Sequence, residues 1–409
     1  MDDVLVIGGG AAGFYGAIQV AEKNPRLNIR ILEKSSKLLS KVRVSGGGRC
    51  NVTHHEFQPK MLASHYPRGE KLLKTLFQRY QAADVIQWFA RHSVSLKTED
   101  DGRMFPETDS SQTIIDCFLR VAHKAGVVIE TQTEVIRVEK EEDCFNVLTR
   151  EGKKFKARKL LVCMGGHPQP GAYQWLADLG HRIIKPIPSL FTFNDPAGTY
   201  KHLMGVSVPT ASVKIAGTNF SFSGPVLITH WGLSGPAIIR LSAWAAEWLA
   251  ANNYTFTALV NWPGITKTEE RVREELLAMK GNRPNLKVVN QALYGLPVRL
   301  WQALCTEAEI DADKTWSETS HKQLNRLLEK LIRCPFSIRG KTTFKEEFVT
   351  CGGVDLTMVN PQRMESTVVK NLFFAGEVLN LDGETGGFNF QCAWTTAWVA
   401  AQAIAEAEK

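Results

Sequence analysis

A short apolar run, residues 4–7, passes without a spacer into Gly8, Gly9, Gly10, Ala11, Ala12 and Gly13, and small and apolar residues continue through Val20 and Ala21. This reads as strand, tight turn and helix, the apolar period changing at the glycines. A second apolar run, 29–32, ends at Glu33, twenty residues beyond Gly13. Each part has a physical task. Gly8 allows the turn, Gly10 lets backbone approach a pyrophosphate, and Gly13 lets helix and strand pack closely. The helix's unpaired amides, from Ala11 and Ala12 onward, and its positive end hold phosphates. Glu33 can then accept hydrogen bonds from the adenosine ribose hydroxyls. A lone GxGxxG arises for steric reasons alone, but here strand, turn, helix, second strand and terminal acid occur in order. The segment is expected to bind a dinucleotide, and it does not separate FAD from NAD.

Two further segments favour FAD. Lys41, Val42, Arg43, Val44, Ser45, Gly46, Gly47, Gly48, Arg49, Cys50 and Asn51 make a polar, glycine-rich loop soon after the second strand. Three consecutive glycines permit backbone to lie directly against a flat ring system or a phosphate; the alternative is a flexible surface loop. Near the other end, an apolar strand at 372–375 leads into Gly376 and Glu377, then Asp382, Gly383, Glu384, Thr385, Gly386, Gly387, Phe388 and Asn389. An alanine-rich helical stretch follows from about 390 to 407, so Gly386 and Gly387 stand at a helix start. That positive end suits the negative charge a reduced isoalloxazine develops near its pyrimidine edge. Asp382 offers an acceptor for ribityl hydroxyls. NAD has neither group.

At 409 residues and 44% hydrophobic content the chain can bury two or three domain cores, which excludes a disordered protein. No basic region followed by an apolar stretch and cleavage site marks a signal peptide. No segment approaches the roughly 18 unbroken apolar residues of a membrane span. A cytoplasmic location and no membrane partner are therefore expected. The eight cysteines, Cys50, Cys117, Cys144, Cys163, Cys305, Cys334, Cys351 and Cys392, form no CxxC pair. Neither a disulfide framework nor a zinc site is indicated. Of the formal charge of +7, most lies in the middle: residues 191–343 carry 17 Lys or Arg against 12 Asp or Glu. That permits an anionic partner without requiring one.

Between these landmarks, 70–91 reads as one amphipathic helix, and Ser110 or Ser111 caps another ending near Gly126. Residues 127–129, 134–138, 145–148 and 160–163 read as strands. Pro186 and Pro188 mark a boundary, after which 206–208, 212–215, 220–222 and 255–260 look like strands. Pro236 opens a helix capped by Ser234, and 267–333 is predominantly helical before extended character resumes near Ser337. The expected domains are 1–190 with 344–409, and an insertion at 191–343 whose first part, 191–262, is mainly β and whose remainder is mainly helical.

Four motifs together carry a resemblance: SGGGRCN at 45–51, GLSGPA at 232–237, CGGV at 351–354 and FAGEVLNLDGETGGFNFQCAW at 374–394. In them the chain resembles the HI0933-like flavoprotein family from first strand to last helix. The resemblance implies an α/β protein with a Rossmann-like FAD-binding domain of glutathione-reductase type, an inserted β-barrel-like plus helical domain, and no separate NAD(P)H domain. The residues agree on the last point, since Met164, Gly165, Gly166 and His167 follow a strand without a second complete GxGxxG. That turn resembles the strand end that passes near FAD in the superfamily, and Lys34 and Val135 join the implied FAD surroundings. His167 with Pro168, and His54 after Thr53, depart from the family pattern and weaken any transfer of substrate specificity.

Some relatives implied by the resemblance reduce a uridine of large-subunit ribosomal RNA to dihydrouridine, and others reduce conjugated double bonds of bile-acid intermediates. The expected reaction is FAD-dependent reduction of a C=C conjugated to a carbonyl, with NAD(P)H docking transiently as reductant. A small conjugated enone is the alternative substrate, and a non-catalytic flavin redox sensor the alternative role. Ribosomal RNA would be met through the basic insertion. There Lys322, Arg326, Lys330, Arg333, Arg339, Lys341 and Lys345 face one acid, Glu329, in sequence, which reads equally as a phosphate-tracking surface or a solvated helix. A second run, Arg150, Lys153, Lys154, Lys156, Arg158 and Lys159, reads better as a solvated hairpin. Candidate proton donors are Cys50 and Cys392, with His230 and Arg49 as carbonyl or phosphate contacts. Packing is the competing role for each cysteine, and a structural role for His230. Oligomeric state is not legible in these residues.

Overall fold

The computed structural model describes residues 1–342 and 349–406. Its strand Asp2–Ile7 is buried from Val4 onward, as a strand covered on both faces must be. It pairs in parallel with Ile29–Leu32 on one side and Lys154–Val162 on the other, with Val4 opposite Ile29 and Lys159. Val128–Glu130 extends the sheet beyond the former and Leu372–Phe374 beyond the latter, both parallel. Antiparallel pairs Val135–Lys140 with Phe145–Thr149, and Val359–Asn360 with Glu365–Ser366, complete a nine-stranded sheet. The first helix, Ala11–Lys23, and the final helix, Phe388–Ala405, pack into the core of this layer.

Contacts divide the chain into two compact units, Met1–Ser189 with Phe344–Lys409, and Leu190–Thr343. In the second unit, strands Thr192–Asn194, Ser207–Val208, Val226–Ile228, Gly232–Ser234 and Lys341–Thr342 form one sheet. Ser212–Ile215, Ser221–Ser223, Thr255–Asn261 and Cys334–Arg339 form another. Helices Glu269–Asn282, Val298–Glu307 and His321–Ile332 share a core with them. Among the described residues each sheet is an open path with two edges, so no closed barrel is present where a barrel-like insertion is expected.

Three local expectations are corrected. Residues 70–91 form two helices, Glu70–Leu76 and Ala82–Arg91, because Gln81 and Asp84 make a capping box that restarts the helix. Ser234 belongs to a strand, and Gly235 at φ 99° is the residue before helix Pro236–Trp244. The loop expected from Lys41 is helical in its first half: helix Ser40–Gly48 buries Val42, and Ser45, Gly46, Gly47 and Gly48 leave helical geometry.

Candidate functional site

The glycine turn divides its tasks as close packing demands. Gly8 has φ 113°, and a β-carbon there would lie 2.3 Å from the Cys163 carbonyl oxygen; one at Gly13 would lie 1.9 Å from the Gly8 oxygen. Turn, helix and strand end are therefore in contact through glycine. Gly10 is different: it precedes the first helix at φ −95° and ψ −165°, and a β-carbon there would have nothing within 4 Å. The helix start with its free amides thus opens onto unfilled space. Beside it, Glu33 accepts from the Gly9 amide through Oε2 and from the Ser35 amide through Oε1, both at 2.8 Å. Two backbone bonds orient the carboxylate, and each oxygen keeps a lone pair for a hydroxyl donor. Lys34 is exposed at the same strand end.

A second helix start faces the same way. A β-carbon at Gly376 would lie 3.0 Å from Ala12 and 3.8 Å from Ala393, and one at Gly16 would lie 3.6 Å from Ala397. Both helices advance four residues between these contacts, so they run parallel and their positive ends are on one side. The final helix begins after Gly386 at φ 127° and Gly387 at φ 94°. Side chains would not fit at Gly387, where a β-carbon would lie 2.4 Å from the Thr53 oxygen. Asn51, in the amide orientation that satisfies it, accepts from the Gly387 amide at 2.9 Å and donates to Thr53 O at 3.0 Å. It ties the end of the triple-glycine turn to the helix start.

In that turn Gly46, Gly47 and Gly48 all have left-handed φ. Gly47 and Gly48 are exposed with open space beside them, whereas a β-carbon at Gly46 would lie 2.8 Å from Phe105. Ser45 Oγ donates to Val42 O at 3.0 Å. Lys41 Nζ donates to Glu377 Oε2 at 2.6 Å, and Glu377 Oε1 accepts from the Thr350 amide at 2.8 Å. Gly166 fits against both, since a β-carbon there would lie 2.4 Å from Thr350 Oγ1 and 2.5 Å from Glu377 Oε1. Met164 is half-buried before Gly165, which has φ 73° and open space around it. Val135 opens its strand next to Glu134, and the charges of Lys34 and Glu134 both act on His167, whose proton affinity falls chiefly through burial.

Other sequence candidates have different surroundings from those expected. Asp382 is fully buried and does not face an open acceptor position. Its carboxylate binds the Arg68 guanidinium, with Nε to Oδ1 at 2.6 Å, and accepts from Ser189 Oγ at 2.7 Å. Burial pushes its carboxyl up, while Arg68 pulls it down. Asn389 closes its own loop, exchanging two 2.9 Å bonds with Gly383. Phe388 is buried, with His65 stacked on its ring at 4.1 Å and His54 at 4.6 Å. Cys50 is fully buried and its thiol is pushed up to about 12 by burial. Cys392 is likewise buried and raised. Thiols so desolvated pack rather than ionise.

Arg49 lies 3.9 Å over the Phe105 ring and donates to Glu99 at 2.6 Å. His230 is exposed beside Trp231 in the second unit. The four catalytic candidates are thus not gathered within one unit. Arg68, His65 and Glu384 escaped the sequence reading because their partners lie more than 300 residues away in the chain.

Three of the seven cations in the basic run of the insertion are paired to acids in three dimensions. Arg326 pairs with Glu309 and Lys330 with Glu307, while Arg333 binds Glu329 at 2.6 Å and Glu269 at 2.9 Å. Lys341 lies 4.2 Å over the Tyr254 ring. Lys322 and Arg339 are exposed, and Lys345 lies outside the described residues. Glu269, Glu307 and Glu309 come from other elements, which a run of sequence does not display. No helix among the described residues is long and apolar enough to cross a membrane.

The model of the HI0933-like protein Rossmann domain matches residues 2–403. The chain is 29% identical to the ribosomal RNA dihydrouridine synthase of Haemophilus influenzae over 98% of both chains. It is 23% identical to the 3-dehydro-bile acid delta(4,6)-reductase of Clostridium scindens, over 99% of this chain and 100% of that one. Among solved structures it resembles the 3-ketosteroid-delta4-(5alpha)-dehydrogenase of Rhodococcus jostii, with a TM-score of 0.53 and 13% identity, over 99% of this chain and 97% of the other. That likeness concerns the fold, which is a Rossmann-type FAD-binding α/β fold. The family match runs from the first strand to the final helix and spans the glycine turn, the Glu33 strand end and the second helix start described above: the chain belongs to the HI0933-like family of flavoproteins.

Proposed function

We propose that the protein is an FAD-dependent reductase of a C=C bond conjugated to a carbonyl, with NAD(P)H as transient reductant. The observation that carries it is the pair of parallel helix starts, one opening onto unfilled space at Gly10, the other built from Gly386 and Gly387. The residues fit FAD: amides of Ala11, Ala12 and Gly13 would hold the pyrophosphate, and Glu33 the adenosine ribose. The backbone of Gly47, Gly48 and Gly165 has open space beside it, which leaves room for a flat ring. Lys41 and Glu377, joined by an ion pair, line the approach, and the positive start of the final helix, after Gly386 and Gly387, would face the ring's electron-rich edge. When bound, FAD supplies the two-electron carrier. The chain's own task is to hold the alkene carbon roughly 3 to 3.5 Å from the hydride donor, to polarise the carbonyl with fixed donors, and to supply a proton.

Uridine of large-subunit ribosomal RNA is the leading substrate, supported by the name of the 29% identical relative. Deleting the gene and measuring dihydrouridine in ribosomal RNA tests it: the modification should vanish and return with the wild-type gene, and unchanged dihydrouridine would overturn the assignment. One observation favours a small conjugated enone instead. On the helix His321–Ile332 the side chains of Arg326 and Lys330 are paired to acids, which leaves less charge for a phosphate backbone. Anaerobic reoxidation of the reduced protein by RNA fragments and by enones distinguishes the two.

A further inference from the structure

We propose that His65, oriented by the buried carboxylate of Glu384, is the proton donor of the reaction above; the inference rests on that reading. His65 follows the short helix Pro59–Ala63. Its carbonyl accepts from the Glu384 amide at 2.9 Å, and its Nδ1 lies 3.0 Å from Glu384 Oε2. The Glu384 side chain is 3% exposed and that of His65 27%. The imidazole stacks on Phe388 at 4.1 Å and 13°, and Phe388 is held by Tyr66, whose hydroxyl donates to its carbonyl at 2.6 Å. Backbone bond, carboxylate and stacked ring together define one orientation of the imidazole, directly on the first residue of the final helix.

A carboxylate on Nδ1 fixes the proton there, stabilises the imidazolium, and makes Nε2 the nitrogen that exchanges a proton. Nε2 of His65 has no partner among the described residues. The charged and titratable groups facing His65 are Glu384 from the glycine loop and His54 from the strand Thr53–His54, ring centroids 6.0 Å apart. His54 is unsuited to the task. Its Nδ1 is taken by the Gly386 carbonyl at 3.0 Å, and burial lowers its proton affinity.

In the step assigned to His65, the alkene carbon β to the carbonyl takes up a hydride originating from NAD(P)H. The C=C electron pair moves toward the carbonyl, and the neighbouring carbon forms a C–H bond with the proton leaving Nε2. The imidazole is left neutral and regains its proton from water.

Stopped-flow measurements on holoenzyme, reduced anaerobically by NADPH or NADH and reoxidised by 2-cyclohexenone or a uridine-containing RNA oligonucleotide, test this. His65→Gln should bind flavin and be reduced as the wild type is, yet reoxidise about 100-fold more slowly. Glu384→Gln should slow reoxidation about tenfold while flavin binding and reduction keep their wild-type values, a split that a merely structural carboxylate does not produce. An H65Q rate within about threefold of wild type, or an E384Q reoxidation rate equal to it, overturns the role of His65 alone. Wild-type flavin that neither acceptor reoxidises overturns ene reduction itself, and the proton donor with it.

Discussion

At Gly13 a methyl group would stand 1.9 Å from the Gly8 carbonyl, whereas at Gly10 it would meet nothing within 4 Å. Substitutions three residues apart should therefore fail in different ways. Gly13→Ala is overpacking against backbone and should cost about 3 kcal/mol or more, seen as a lower urea midpoint. Gly10→Asp places a favoured cap at a helix start whose φ suits any residue. Its carboxylate would compete with a pyrophosphate for the same amides. The apo protein should then melt within about 2 °C of wild type while flavin no longer copurifies, and a G10D protein that keeps its flavin would remove Gly10 from the site. The cysteines give a second residue-scale prediction. Seven of the eight are buried and Cys144 is half-buried, and burial holds the Cys50 thiol at about 12. In its native state at pH 8 the protein should show about one fast thiol in a colorimetric titration, and eight after denaturation. Rapid labelling of Cys50 or Cys392 would restore them as proton-donor candidates.

Elements show where periodicity misleads. Apolar residues continue through Phe77 and Tyr80, both buried, so 70–91 looks like one helix until the Gln81 box is recognised. The helix His321–Ile332 carries a complete capping box between Ser320 and Gln323. Ser320→Ala should cost about 1 kcal/mol in urea unfolding. The same helix pairs Arg326 and Lys330 with acids of neighbouring segments. Replacing both with Gln should change RNA affinity by less than about threefold and leave its salt dependence nearly unaltered, since paired cations release few counterions. A large loss of affinity and a flatter salt slope would show that these pairs open to RNA.

At the scale of the molecule, the unit Leu190–Thr343 has its own core of strands, helices and buried Trp262, Trp301 and Trp316. Expressed alone it should unfold cooperatively, by circular dichroism, as a two-state domain. The proposed flavin residues, by contrast, lie in the other unit. FAD at a hundred times its Kd should stabilise that unit by about 2.7 kcal/mol, and leave the transition of the excised insertion where it is. The sequence by itself determined the strand, glycine turn, helix and acid of residues 4–33, because the contacts of Gly13 with Gly8, of Glu33 with the Gly9 and Ser35 amides and of Val4 with Ile29 are all local and glycine is required by close approach. It also marked Gly386 and Gly387 as a helix start. Only the tertiary structure decided that Asp382 is consumed by Arg68 and that His65 meets Glu384. It alone paired Arg326, Lys330 and Arg333 of the insertion's basic run and left that insertion's sheets open. Those outcomes depend on partners 314 and 319 residues away, or on acids brought from other helices, and on desolvation that exists only once the core has closed.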